Sequence, residues 1–279
     1  MRDDECTRFL QWALPNLRMR WPGFRKVRRQ VCERVAGRLL DLGLRDTFAY
    51  RVYIEAHTEK WKRLDEFCRI SISRFYRDHD VVECLADRVF PLRTGVAEEA
   101  PARFRMWSAG CGAGEEPYTL ALLWRFSLHQ QFPGVELQLV ATDADPGQLE
   151  RARAACYGRG SLRELPAAWI GQAFDESHGC YYLRPELRGG VEFRQQDMRH
   201  EMPDGPFDLV LCRNLVFTYF DERLQREIAH AIHKLLVPGG VLVLGKREVL
   251  TEHPGGFRRI EPSLPLYRSE SSLADALTG

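Results

Sequence analysis

At 279 residues and 44% hydrophobic content, the chain is long enough to bury a sizeable core in one large domain or two smaller ones. The formal net charge of +1 gives no global argument for nucleic acid or membrane, and neither is expected as a partner. The eight cysteines carry no C-x-x-C pair, which fits neither a dense disulfide scaffold nor a zinc site, so all eight are read as reduced thiols.

Met1-Arg2-Asp3-Asp4-Glu5 lacks the basic and apolar regions of a signal peptide, and no uncharged apolar stretch approaches the roughly 20 residues a bilayer requires. A cytoplasmic protein is expected. The front third is the basic part: Met1 to Arg93 carry 20 Lys and Arg against 14 Asp and Glu, and the remainder 20 against 25. Such an excess is either a solvated face or a surface that meets an acidic partner.

From about residue 24 to 92 the pattern is helical. Val27, Val31, Val35 and Leu39 recur at four-residue spacing and stop at Gly43, where a helix can end. Further helices are predicted around 48–56, 64–70 and 81–90, so residues 1–93 read as a small N-terminal helical domain. Residues 94–102, with weak periodicity and Pro101 near the end, read as a linker.

In 103–279 short apolar runs at 104–109, 137–142, 191–194, 207–212 and 241–244 alternate with helical patterns. That alternation predicts an α/β fold, a doubly wound Rossmann-like domain with a mostly parallel sheet covered on both faces.

The first run ends in Ser108-Ala109-Gly110-Cys111-Gly112-Ala113-Gly114-Glu115-Glu116-Pro117, and Leu120, Ala121, Leu123 and Trp124 continue it as a helix. A strand, a glycine-rich turn and a helix place a ligand at the carboxyl end of the strand, and Pro117 suits the first helical turn. A dinucleotide site is built similarly, but its fingerprint needs glycine where Glu115 stands, and an acidic residue there repels pyrophosphate. Glu115 can instead accept a hydrogen bond from an ammonium group. S-adenosylmethionine carries an amino group and a sulfonium but no phosphate, so the charges favour it, with S-adenosylhomocysteine as the product. Ala109, Gly110, Gly112 and Glu115 are its candidate ligands in this loop.

The second run ends at Thr142-Asp143-Ala144-Asp145. A carboxylate at this strand end can accept two ribose hydroxyls or cap the helix that follows; the ribose is assigned to Asp143 and the cap before Pro146 to Asp145. Gln195-Gln196-Asp197 closes a third strand, either as an adenine ligand or as a plain turn.

With these strand ends placed, the chain from about Phe24 to Tyr267 resembles the chemotaxis receptor methyltransferase (CheR) family, whose members esterify receptor glutamates using S-adenosylmethionine. The resemblance rests on Ile72-Ser73-Arg74-Phe75-Tyr76-Arg77-Asp78, on the glycine loop from Trp107 to Tyr118, and on Ala141-Thr142-Asp143-Ala144-Asp145. Phe207-Asp208-Leu209-Val210-Leu211-Cys212-Arg213-Asn214, Tyr219-Phe220-Asp221 and Leu236-Val237-Pro238-Gly239-Gly240 complete it. It implies that Glu115 holds the methionine end of the cofactor, Asp143 the ribose and Asp197 the adenine side, with Arg213 and Asn214 beside the reacting sulfur. It implies Arg77 and Tyr219 as catalytic residues that meet the substrate, and a short inserted β subdomain near 172–190.

The chain departs from the family pattern in four places. One additional residue separates Asn214 from Tyr219, which leaves Phe217 as the alternative pocket aromatic. Gly245-Lys246-Arg247-Glu248 stands where the family commonly reads Gly-His-Ser-Glu. The inserted subdomain is short, and the spacing from the glycine loop to Asp143 is longer than in many generic methyltransferases.

A glutamate acceptor, with an ordinary pKa of about 4.3, is already ionised at neutral pH and needs orientation rather than a base. Arg77 offers a planar fork for that carboxylate; the plain alternative is a surface arginine paired with Asp78 or Asp80, and Arg74 is its rival within the motif. Tyr219 reads equally as a packed aromatic. His230 and His233 share a helix face without a third ligand, and no metal is expected. Three functions follow: carboxyl O-methylation of an acidic protein or peptide such as a chemoreceptor, methylation of a small molecule or other peptide on the same scaffold, or a non-catalytic module that senses the cofactor.

Overall fold

The computed structural model describes residues 2–91, 103–250 and 256–270; the linker expected at 94–102 lies outside them. The chain divides into two compact units, Met1–Ser71 with Leu215–Gln225, and Ile72–Asn214 with Arg226–Gly279. Residues from Ile72 to Pro91 therefore group with the sheet, whereas the sequence places them with the N-terminal helices. The reason is burial: Phe75, Val81, Leu85 and Phe90 share one apolar core with Phe104, Met106 and Leu209 of the strands.

The first unit opens on α1 (Asp3–Asn16), a helix ahead of the pattern read from residue 24. Cys6, Phe9, Leu10, Ala13 and Leu14 are its buried stripe at helical spacing, and Asp3, Asp4 and Glu5 place negative charge at its amino end. After α2 (Trp21–Phe24) comes α3 (Arg28–Asp41), which buries Val31, Val35 and Leu39. Asp46 caps α4 (Thr47–Ala56) by accepting from Ala49 N at 2.8 Å. α5 (Trp61–Cys68) ends under Arg34, whose guanidinium donates to the Phe67 and Arg69 carbonyl oxygens at 2.7 and 2.8 Å.

The short helix Val216–Tyr219 belongs to this unit and lies so close to α2 that a Cβ on Gly23 would stand 2.2 Å from the Thr218 carbonyl oxygen. Gly23→Ala is therefore expected to destabilise the protein by about 1–3 kcal/mol, read as a lower urea midpoint, because main chain has to move. An unchanged midpoint would show that the close approach is not required.

In chain order the strands of the second unit are β1 (Arg103–Ala109), β2 (Glu136–Asp143), β3 (Cys156–Tyr157), β4 (Phe174–Ser177), β5 (Cys180–Leu183), β6 (Val191–Gln195), β7 (Phe207–Cys212), β8 (Leu236–Leu244), β9 (Phe257–Arg259) and β10 (Leu266–Ser269). Seven form one sheet in the order β6-β2-β1-β7-β8-β10-β9. The first five are parallel, and β10 and β9 are antiparallel at the edge.

All five apolar runs read from the sequence are strands of this α/β sheet. Its helices include α6 (His79–Cys84), α7 (Glu115–Leu123), α8 (Pro146–Ala154) and α9 (Ala167–Ala173). Strand order reverses between β1 and β7, and the carboxyl ends at such a switch point are where open α/β sheets hold ligands. Among the described residues no helix is long and apolar enough to cross a membrane.

The hairpin β4–β5, turning through His178 and Gly179, lies inside the expected subdomain, and β3 joins it from outside to make a three-stranded sheet β3-β5-β4. Cys156 and Cys180 within this sheet form a disulfide, as do Cys6 of α1 and Cys32 of α3. This corrects the expectation of eight thiols: in each pair packed elements bring the Cα atoms to 5.9 Å, within bridging range, despite the long sequence separation. Cys68, Cys84, Cys111 and Cys212 remain thiols.

Candidate cofactor and acceptor site

The glycine loop leaves β1 at Ala109 and turns through Gly110, Gly112 and Gly114 at φ of 72°, 55° and 91°, conformations that side chains rarely adopt. At Gly114 space is also short, since a Cβ would lie 3.0 Å from Ala152 Cβ and 3.1 Å from the Tyr157 hydroxyl. The loop is moored to its neighbour strand: Gly110 N and Cys111 N donate to the Thr142 carbonyl oxygen at 2.8 and 2.9 Å. From the small sheet, the Tyr157 hydroxyl donates to the Ala113 carbonyl oxygen at 2.8 Å.

Asp143, at the end of β2, accepts from Gly112 N through Oδ2 at 2.9 Å and from Asp145 N through Oδ1 at 2.8 Å. A carboxylate oxygen can accept more than one hydrogen bond, so these two contacts do not by themselves exclude a pair of hydroxyls. Asp145 caps α8 by accepting from Gly147 N and Gln148 N, the role the sequence assigns it. At the end of β6, Gln196 N donates to the Asp143 carbonyl oxygen at 3.1 Å. Asp197 is held in a fork with Arg199, the shortest contact being 2.6 Å; burial raises its carboxyl, and the Arg199 guanidinium, the Arg199 backbone N–H and His200 together outweigh burial and leave it below its ordinary value.

Glu115, the first residue of α7, is 4% exposed, and its Oε2 is buried without a hydrogen-bond partner. Burial pushes this carboxyl up, against the Glu115 backbone N–H, the field of Arg151 and the Ser161 hydroxyl, which favour the charged form. An orphaned buried carboxylate oxygen is costly, and an ammonium donor would satisfy it. The residues present therefore fit an amino-acid nucleoside: Glu115 for the ammonium, Asp143 for vicinal hydroxyls, and the orphaned Gln196 Oε1 for an adenine amino group.

Beside this cradle lies an ionic network that the sequence reading left unresolved. Arg213, at the end of β7, donates to Glu116 Oε2 at 3.1 Å, to Asp78 Oδ2 at 2.6 Å and to the Arg77 carbonyl oxygen at 3.0 Å. Glu116 also accepts from the Ser108 hydroxyl at 2.7 Å. Lys246 takes Asp80 at 2.6 Å and Arg74 takes Glu164 at 2.7 Å. Asp78 and Asp80 are thus occupied, and the Arg77 guanidinium instead donates to the Ile72 carbonyl oxygen at 2.7 Å and to Asn214 Oδ1 at 3.3 Å. Tyr76, Asp78 and Asn214, all in this corner, have φ of 57°, 58° and 55°, a local concentration of left-handed non-glycine backbone that costs free energy and marks functional segments.

Glu248 is the site residue whose weight the sequence reading missed. It is 5% exposed, and its Oε2 accepts from both Asn214 N and Gly245 N at 2.7 Å, tying the carboxyl ends of β7 and β8 together. Glu116 was hidden in a different way, since an acid in a first helical turn already has a reason to be there. Tyr219 lies in the first unit, half-buried, with its ring 5.0 Å from that of Phe24, while Phe217 is buried.

Residues 71–264 match the family described as CheR methyltransferase, SAM binding domain. The chain belongs to the CheR methyltransferase family. Chemotaxis protein methyltransferase 1 of Pseudomonas aeruginosa is 34% identical over 68% of this chain and 70% of that protein, and the chemotaxis protein methyltransferase of Escherichia coli 31% over 79% and 76%. An uncharacterized 104.1 kDa protein of Rhodobacter capsulatus is 32% identical over 77% of this chain, which spans 23% of that protein. As a CheR methyltransferase, the protein uses S-adenosylmethionine as methyl donor, and the dinucleotide reading of the glycine loop is set aside. The CheR match begins at residue 71, beside the start of the second unit at Ile72.

Proposed function

We propose that this methyltransferase esterifies a glutamate carboxylate on an acidic protein, a chemoreceptor or related signalling protein, in the cytoplasm. The observation that carries the reading is Arg77: its guanidinium is oriented by Ile72 and Asn214 rather than neutralised by Asp78 or Asp80, so donors remain for an incoming carboxylate.

In this reading Glu115 binds the ammonium of the cofactor, Asp143 its ribose and Asp197, with Gln196, the adenine edge, while the glycine loop from Ala109 through Gly112 lets the ligand approach main chain. The bound cofactor supplies a methyl group on a sulfonium, an electrophile open to in-line displacement. Arg77 orients the acceptor oxygen for that displacement; the acceptor is ionised at neutral pH and no proton has to be removed. Arg213 holds the Arg77 carbonyl oxygen and the Asp78 carboxylate and Asn214 holds the Arg77 side chain, so both act by position. The same arrangement also suits a small acidic acceptor, and the Lys246–Asp80 pair, where the family commonly has histidine, is the observation that favours this second reading.

The test is transfer of radiolabelled methyl groups to a receptor signalling fragment and to small carboxylic acids, scored as base-labile ester. Base-stable label would overturn carboxyl methylation. Arg77→Lys keeps the charge and loses the fork, and methyl transfer should fall about tenfold with cofactor affinity unchanged. An equal loss of cofactor affinity would remove Arg77 from the acceptor side.

A further inference from the structure

Within the second unit, between α6 with its continuation Leu85–Val89 and α7 with its continuation Trp124–Leu128, lies a cavity of about 340 Å³ that the methyl-transfer machinery does not use. Both continuations are π-helical, a widened turn that is rare and concentrates at functional sites. The volume is at the lower end of small-ligand sites, roughly 300–1,000 Å³.

The lining combines an apolar surface with hydrogen-bond acceptors. Leu123, Leu128 and Ala86 supply the apolar part. Glu83 and Asp87 also line it, one helical turn apart and so on the same face. Both carboxylates are exposed; among the described residues Glu83 pairs with the exposed His79 at 3.7 Å, and Arg88, the cation next in sequence to Asp87, is taken by Glu261 at 2.6 Å. Gln131 donates its amide to the Ser127 carbonyl oxygen, which leaves the amide oxygen for the cavity. Tyr76 is 9% exposed and lines the cavity, and its hydroxyl has no hydrogen-bond partner among the described residues. Burial, then the nearby charges of Glu83 and Asp87, push the phenol up, which places the hydroxyl in the field of those carboxylates. Among the described residues no Lys or Arg lines the cavity.

We infer that this cavity is a second binding site, for an organic cation with an alkyl stem: a guanidinium or alkylammonium group between Glu83 and Asp87, donating to the Tyr76 oxygen, with its stem on Leu123 and Leu128. The group pairs with two exposed carboxylates and the Tyr76 oxygen together, and a neutral ligand of the same shape forgoes the charge-assisted contacts. The site lies one residue from Arg77 in the chain, yet its occupancy does not depend on which acceptor is methylated.

The full chain would be titrated calorimetrically with agmatine, standing for a free small cation, with acetyl-arginine amide, standing for a side chain of a protein partner, and with acetyl-citrulline amide, the uncharged counterpart. Saturable binding of at least one cation is expected, weakened about tenfold in the Glu83→Gln/Asp87→Asn double variant and absent for the citrulline compound. Tighter agmatine assigns the site to a free amine, and tighter arginine amide to a partner. No saturation by either cation at about 10 mM, or equal binding by the citrulline compound or by the double variant, overturns the inference. The citrulline comparison uses the unaltered protein and holds whether or not the variant folds.

Discussion

Glu115→Gln is expected to weaken S-adenosylmethionine binding by about a hundredfold. The substitution preserves shape and removes charge at a position 4% exposed, where Oε2 has no other partner. A hydrogen bond between charged groups contributes about 1.5–3 kcal/mol, and this one is water-shielded, which puts it at the upper end. The same burial sets a pH dependence. Because the folded-state carboxyl is raised above its ordinary value, the folded protein favours the protonated form. That preference contributes stability at low pH and is lost as pH climbs from the ordinary carboxylate value through the raised one. Cofactor binding needs the ionised form and should tighten across that window in the wild type, while the Gln variant stays flat. Without cofactor at neutral pH, the Gln variant should melt at a higher temperature than the wild type, since it no longer buries an uncompensated charge. Calorimetry over a pH series and a melting curve would show both, and undiminished cofactor affinity in the variant would remove Glu115 from the site.

Arg213→Met should cost about 3–5 kcal/mol of folding stability, the penalty for stranding buried charges when one partner is deleted. The side chains of Arg213, Asp78 and Glu116 are 5%, 19% and 16% exposed, and the one guanidinium serves both carboxylates and the Arg77 carbonyl oxygen. Urea unfolding would measure the loss. Adding Asp78→Asn and Glu116→Gln should recover part of it, because the carboxylates then need no counter-charge. A variant as stable as the wild type would mean that the network is solvated rather than buried.

The parts of this molecule that a sequence can carry are those whose cause is local. Apolar runs such as 207–212 become strands because both faces of a parallel sheet are covered, and the glycine loop shows itself by residue types that permit positive φ. Asp143 and Asp145 could be separated because a helix cap and a strand-end carboxylate make different local demands. What stayed hidden depends on chain segments far apart. The Cys6–Cys32 bridge and the membership of Ile72 to Pro91 in the sheet's core are set by packing. The partners of Arg213 come from positions 77, 78 and 116, and Glu248 reaches back to Asn214. Whether Arg77 was a paired surface residue or a free fork turned on where Lys246 and Arg213 point, and spacing along the chain does not encode that.

The carboxylate of Asp143 is already clamped by two amide hydrogens, from Gly112 and Asp145, in the ligand-free molecule. A side chain fixed in advance has no rotamers left to surrender when a nucleoside arrives, so the ordering cost falls on folding rather than on association. Cofactor capture should accordingly resemble docking onto a rigid template. Its affinity should respond to any change that loosens either amide contact.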